Sequence, residues 1–135
     1  MSFSNTYETL VLQYTFTNAS VTRPTAWYLG LFTSAPGEAG GGTEVSGGSY
    51  VREAVTFSVT GDTATNTAAV EWPVATATWG TITHIAVYDA STGGNQIAYA
   101  ALTNSKTIAS GDVLRVPAGD LDITQIGRAS CRERV

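Results

Sequence analysis

The 135-residue chain carries 7 Lys+Arg against 11 Asp+Glu, a formal net charge of −4, and only 13% of its residues are charged, about half the usual share for a soluble domain. Such an acidic chain is repelled by phosphate backbones, which argues against nucleic acid as a partner, and no run reaches the roughly 18 apolar residues that would cross a bilayer as a helix. A single cysteine, Cys131, leaves no disulfide framework and no thiolate metal site. Thr, Ala, Gly and Ser stand where charges would, a composition suited to β-structure and to packing against other subunits.

The N-terminus, MSFSNTYETL, has neither a basic n-region nor an apolar h-region and does not read as a secretory signal. Asn5 can cap a helix, with Glu8 reaching back as a capping box, and Tyr7, Leu10, Val11 and Tyr14 share one helical face. The spacing predicts one short helix, and the β-prone run 10–16 leaves a strand as the alternative. Arg23-Pro24 stops any helix, because the residue before proline is pushed toward extended backbone. Residues 26–32, AWYLGLF, form an aromatic-rich apolar run suited to a buried strand. Gly30 within it marks a bulge or a close backbone approach. Residues 33–49 include six glycines, and an irregular segment this long is usually functional or mobile. It reads either as a flexible edge loop or as a contact loop ordered against a neighbouring subunit, with Pro36, Glu38, Glu44 and Tyr50 as the contact residues.

Residues 50–59 place Val51, Val55 and Phe57 on one face of a strand and Arg52, Thr56 and Ser58 on the other. Gly61-Asp62 marks a turn, and 65–72 reads as a strand ended by Pro73. Residues 81–88 alternate Ile82, His84, Ala86 and Tyr88 against Thr83, Ile85 and Val87, and 89–95 is a hairpin turn leading to a partner strand at 96–102. Shorter strands follow at 106–109, 112–116 and 121–124. Seven to eight short strands with no βαβ alternation predict an all-β fold, an antiparallel β-sandwich or jelly-roll-like domain with a short N-terminal helix, in one unit over residues 1–125. The last ten residues, 126–135, read IGRASCRERV. Back-translated, they reproduce a widely used short-read sequencing adapter, so they are expected to be non-native and disordered. Without Arg128, Arg132, Arg134 and Glu133 the chain keeps four basic and ten acidic residues, a net charge of −6, and no cysteine.

Candidate chemistry is sparse. His84 is the only histidine, has no second histidine or cysteine with which to hold a metal, and sits within a predicted strand, where packing is the ordinary role. There is no G-x-S-x-G nucleophile turn. The carboxylate pairs Glu38/Glu44 and Asp120/Asp122 could serve glycoside hydrolysis, but the first lies in a glycine-rich loop and the second on a strand face toward solvent. The turn carboxylates Asp62, Asp89 and Asp112 are calcium-ligand types without EF-hand spacing. The Gly-Gly pairs lack the flanking residues of a phosphate loop and read as turns. No catalytic residue, cofactor or metal is expected. Among the aromatics Trp27, Tyr28, Trp72, Trp79 and Tyr88, core packing is the ordinary role. Trp72 and Trp79 flank a loop at 73–78 and are the candidates for an exposed, glycan-facing pair.

The order of motifs is distinctive: Trp27-Tyr-Leu-Gly-Leu-Phe-Thr33 before Ala35-Pro36-Gly37; Glu44-Val-Ser-Gly-Gly-Ser-Tyr50 before Arg52; Asn66-Thr-Ala-Ala-Val70 before Trp72-Pro73; Trp79-Gly-Thr-Ile-Thr-His-Ile85; Tyr88-Asp-Ala-Ser-Thr-Gly-Gly94; and Ser110-Gly-Asp-Val-Leu114. Over nearly all of residues 2–124 the chain resembles a family of small tailed-bacteriophage virion structural proteins, commonly labelled phage tail fibre protein. These motifs are turn-and-strand patterns, so they specify a fold family better than a job. The resemblance implies a non-enzymatic virion component, a tail fibre or minor tail protein, that works through contacts with other virion proteins and with copies of itself. The alternatives are a capsid decoration protein and a carbohydrate-binding module that meets host glycan through Trp72 and Trp79.

Overall fold

The structure, a computed structural model, describes residues 2–124; the expectation for 126–135 falls outside the described residues. The fold is antiparallel β with one N-terminal helix, in a five-stranded sheet, a three-stranded sheet and a two-stranded ribbon. In chain order the elements are β1 (Ser2–Phe3), α1 (Asn5–Phe16), β2 (Trp27–Phe32), β3 (Glu53–Val55), β4 (Phe57–Thr60), β5 (Thr63–Asn66), β6 (Val70–Glu71), β7 (Gly80–Tyr88), β8 (Gln96–Ile108), β9 (Arg115–Val116) and β10 (Asp122–Thr124). The large sheet runs β1-β8-β7-β2-β3, the second β10-β5-β4, and β6 pairs with β9.

One continuous core joins the three sheets. Leu29, Leu31, Val55, Ile85 and Val87 of the large sheet pack with Val70, Trp72 and Leu121, and Phe57 and Ile123 of the three-stranded sheet pack against them, the arrangement of a sandwich whose inner faces interdigitate. The predicted strand 50–59 divides at Thr56, where the chain leaves the large sheet and enters the small one. The Thr56 carbonyl accepts from the Thr67 amide at 2.9 Å, which holds the corner. The predicted strand 65–72 divides likewise, between β5 and β6, while 96–102 and 106–109 fuse into the long strand β8.

Asn66 makes the second of these corners possible. Its fully buried side chain donates to the carbonyls of Ala68 and Pro117, both at 3.0 Å, and its Oδ1 accepts from the amides of Gly119 and Leu121 at 3.1 and 2.9 Å. All four hydrogen-bonding positions of the amide are used, so one side chain ties the 66–70 turn to the 117–121 turn.

The alternation expected along 81–88 fails at one point. Between the pairs Ile82↔Lys106 and His84↔Ala101 the ladder advances two residues on β7 but five on β8, and across such a break the faces do not keep their simple alternation. Ile82 therefore joins Ile85 and Val87 in the main core, while Ala86 and Tyr88 lie on the opposite face with Phe32.

The helix begins one residue earlier than expected. Ser4, in extended backbone, is the N-cap, and its hydroxyl accepts from the Tyr7 amide at 3.3 Å while donating to the Gln96 carbonyl on β8. Tyr7 is buried and its hydroxyl donates to Asp89 at 3.1 Å. Beyond Leu10 the support ends: every residue from Val11 to Ser20 is exposed. The described part contains no helix long and apolar enough to cross a membrane.

Candidate contact surface

The glycine-rich segment is not a loose loop. Between Phe32 and β3 it folds back beside the C-terminal half of β2, past the Trp27–Leu29 stretch that pairs with β3, and bridges Phe32 at Glu44. The Thr33 amide donates to the Thr43 carbonyl and the Val45 amide to the Leu31 carbonyl, at 2.9 and 3.0 Å. The Leu31 amide, which would otherwise face the open edge, donates to the Tyr50 hydroxyl at 2.9 Å. A buried backbone donor needs a partner, and here a phenol takes the place of a strand.

That phenol is one member of a polar cluster. Tyr50 donates to Glu44 Oε2 at 2.7 Å, and Arg52 grips the same carboxylate with two parallel bonds, Nε to Oε2 at 2.9 Å and Nη2 to Oε1 at 2.8 Å. The remaining arm of Arg52 donates to the carbonyls of Ala90 and Gly93 at 3.1 and 2.8 Å, in the turn between β7 and β8. Its guanidinium lies 3.6 Å from the centre of the Tyr88 ring, and Tyr88 stacks in turn on Phe32, with centroids 6.3 Å apart. Arginine suits this place because a planar fork can bind a carboxylate with two bonds and still lie on an aromatic face.

Burial and the hydrogen bond to Glu44 push the Tyr50 phenol well above its ordinary range. Burial works against the Arg52 charge, but the bonds and field of Glu44 outweigh it, so that guanidinium is held charged more firmly than usual. Burial also raises the Tyr88 phenol, against the pull of Arg52.

Gly30 lies under this cluster. A Cβ there would come within 3.0 Å of Glu44 Oε2 and 3.4 Å of the Tyr50 hydroxyl. The expected close approach at Gly30 is therefore real, and the group that approaches is a side-chain carboxylate. At the far end of the segment Gly48 has φ 60°, and its carbonyl accepts both the Trp79 indole N–H at 2.9 Å and the Thr76 amide at 3.1 Å.

Of the four expected contact residues, Glu44 and Tyr50 lie together in this cluster and hold the segment to its own domain. Pro36 is buried and Glu38 is exposed. Glu38 borders a shallow polar hollow with Ser4, Tyr88, Asn95 and Gln96. Arg52 completes the cluster, and sequence reasoning placed it only as an outward strand residue. Its spacing from Glu44 in a glycine-rich stretch was the available signal.

The exposure expected for Trp72 and Trp79 is corrected by their burial, at 1% and 5% exposed. The 73–78 loop suggested a surface, but its backbone is drawn over the end of the sandwich. The Trp72 amide bonds the Leu114 carbonyl, the Ala75 amide bonds the Asp112 carbonyl, and the Trp79 amide bonds the Ile108 carbonyl. Trp79 meets Tyr50 edge-on at 5.5 Å between centroids, so it braces the 33–52 segment from within and offers no face to a sugar.

His84 is half-buried on β7, with a ring nitrogen 2.8 Å from the Thr83 hydroxyl. Asp120 and Asp122 are exposed, and Asp122 accepts from Thr65 at 2.8 Å. Asp89 takes the Tyr7 hydroxyl and the Asn95 amide, and Asp112 takes the Ala109 amide. These turn carboxylates are engaged in shaping their own turns. Among the described residues no three His, Cys, Asp or Glu side chains gather as a metal site.

The fold and these sites define a class: a small antiparallel β module with an edge-covering loop and a projecting helix, its polar residues used to fasten turns. The family model described as podophage GP4 fiber I protein gp80 matches residues 2–124, and the chain belongs to that family. The resemblance read from the turn and strand motifs thus holds over the whole described chain. No match to the chain was found among curated proteins.

Proposed function

We propose that this chain is a non-enzymatic structural component of a bacteriophage virion, built into a tail fibre and working through contacts with other copies of itself and with other virion proteins. The observation that carries the reading is the family match over 2–124, which leaves no room among the described residues for a second, unrelated module. Two features support it. The domain spends its Arg52–Glu44 pair and its buried tryptophans on internal fastening, and it leaves an uncharged apolar helix end uncovered. The match to a fibre family favours the tail over capsid decoration, and the burial of both Trp72 and Trp79 removes the surface on which a glycan-binding reading rested.

Antibody labelling of particles of the phage that encodes this chain tests the reading. Label on tail-associated fibres in electron micrographs is expected. Label confined to capsids, or absence of the chain from purified particles by mass spectrometry, would overturn it.

A further inference from the structure

Among the described residues, four of the exposed large apolar side chains gather on the second half of α1. Val11, Leu12, Tyr14 and Phe16 are 43, 57, 76 and 77% exposed. The stripe of Tyr7, Leu10, Val11 and Tyr14 starts under cover and runs out beyond it, while Leu12 and Phe16, one turn apart, lie on another side of the helix. A helix end that is apolar on more than one side is the pattern of a buried helix. Its own residues do little to keep it helical, since Val, Tyr, Thr and Phe are all indifferent helix formers. The end is nonetheless shaped: the Thr17 amide and hydroxyl both donate to the Gln13 carbonyl, at 3.1 and 2.7 Å.

Charge selects the occupant. Residues 2–124 hold four basic and ten acidic side chains, so copies of the chain repel one another over most of their surfaces. From Thr9 to Thr22 there is no charged residue at all. This is the stretch where an acidic chain can meet itself without setting like charges together, and a face that serves both partners in a symmetric contact must tolerate its own image. The area also fits. Aromatic side chains bury about 150–250 Å² each, so Tyr14, Phe16 and the two aliphatics offer on the order of 400 Å² per copy. Two such faces, with the exposed uncharged segment 17–20 beside them, approach the roughly 1,000 Å² total at which specific interfaces begin.

We propose that the second half of α1 is a self-association face, on which further copies of this chain pack around Val11, Leu12, Tyr14 and Phe16. The proposal rests on the fibre reading and supplies the surface through which copies join.

Sedimentation velocity on the full chain, from micromolar to near-millimolar concentration, tests it against two variants. Leu12→Glu/Phe16→Glu places charge on the face, and Val59→Glu changes an exposed valine on β4, away from the helix. The wild-type chain and Val59→Glu are expected to associate, and Leu12→Glu/Phe16→Glu to weaken association by about a hundredfold or more. An unchanged thermal midpoint for that variant would show it still folds. A wild-type chain that stays monomeric throughout would overturn the proposal, and so would association that ignores the double substitution. So would a monomer that binds neutral phosphatidylcholine vesicles through Phe16. In each of these cases label on tail fibres would leave the fibre reading standing, whereas absence from the particle would remove that reading whatever the sedimentation result.

Discussion

Arg52 and Asn66 show how single polar side chains hold this fold. Arg52 is the one positive charge facing the Glu44 carboxylate, and its side chain is 9% exposed against 25% for Glu44. Arg52→Gln strips the carboxylate of its partner and frees two carbonyls, so a loss of about 2–4 kcal/mol in urea denaturation is expected. The figure sits below that for a fully buried pair, since water reaches part of Glu44. Arg52→Lys should recover less than half of it, because a point charge cannot make two parallel bonds and lie flat on Tyr88. At Asn66 the test is chemical rather than steric. Asn66→Asp keeps the shape but turns a donor into an acceptor facing the Ala68 and Pro117 carbonyls, and about 3 kcal/mol should be lost at neutral pH by the same measurement. Neither role was legible in the sequence. A strand-end Asn and a strand Arg look like any others until the turns they join, fifty or forty residues away, are brought beside them.

At the scale of elements, α1 is fastened only as far as Leu10, which packs against the core. Ser4 caps it and ties it to β8, and Tyr7 anchors it to the β7–β8 turn through Asp89. Burial, with the nearby Asp89 carboxylate, pushes the Tyr7 phenol up from 10.0 to about 12. The folded chain thus holds this proton more tightly than the unfolded one. The associated stability is fully present below pH 10 and is lost as pH rises toward 12. Thermal unfolding followed from pH 9 to pH 12 should show a falling midpoint, and Tyr7→Phe should make that fall shallower. An identical slope in the variant would place the alkaline loss elsewhere. The helix itself was readable from its cap and its spacing, within one residue. That its second half would stand clear of the sandwich was not, because an apolar stripe has the same spacing whether its partner lies in the same chain or in another.

For the whole molecule, charge balance makes the clearest prediction. With ten carboxylates against four cations over residues 2–124, and no basic cluster among them, the chain shortened to 1–125 should give no retarded band with duplex DNA even at low salt. Salt-sensitive retention by that shortened chain would show that the acidic balance does not govern its surface. Removing 126–135 should change the unfolding free energy from urea titration by no more than about 0.5 kcal/mol, as the adapter reading of that segment requires.

The sequence by itself determined the class of fold, the single helix, the hairpin at 89–95 and the membership of a phage fibre family. These rest on local properties: period-two alternation, proline and glycine at turns, a cap before an apolar stripe, and turn motifs in a fixed order. Only the tertiary structure decided where strands change sheets, that Trp72 and Trp79 lie inside, and that the glycine-rich segment is clamped beside the C-terminal half of β2. The physical reason is shared by all three. Each depends on which distant carbonyl, carboxylate or ring comes to meet a given residue, and that information lies in the packing of the chain rather than in any window along it.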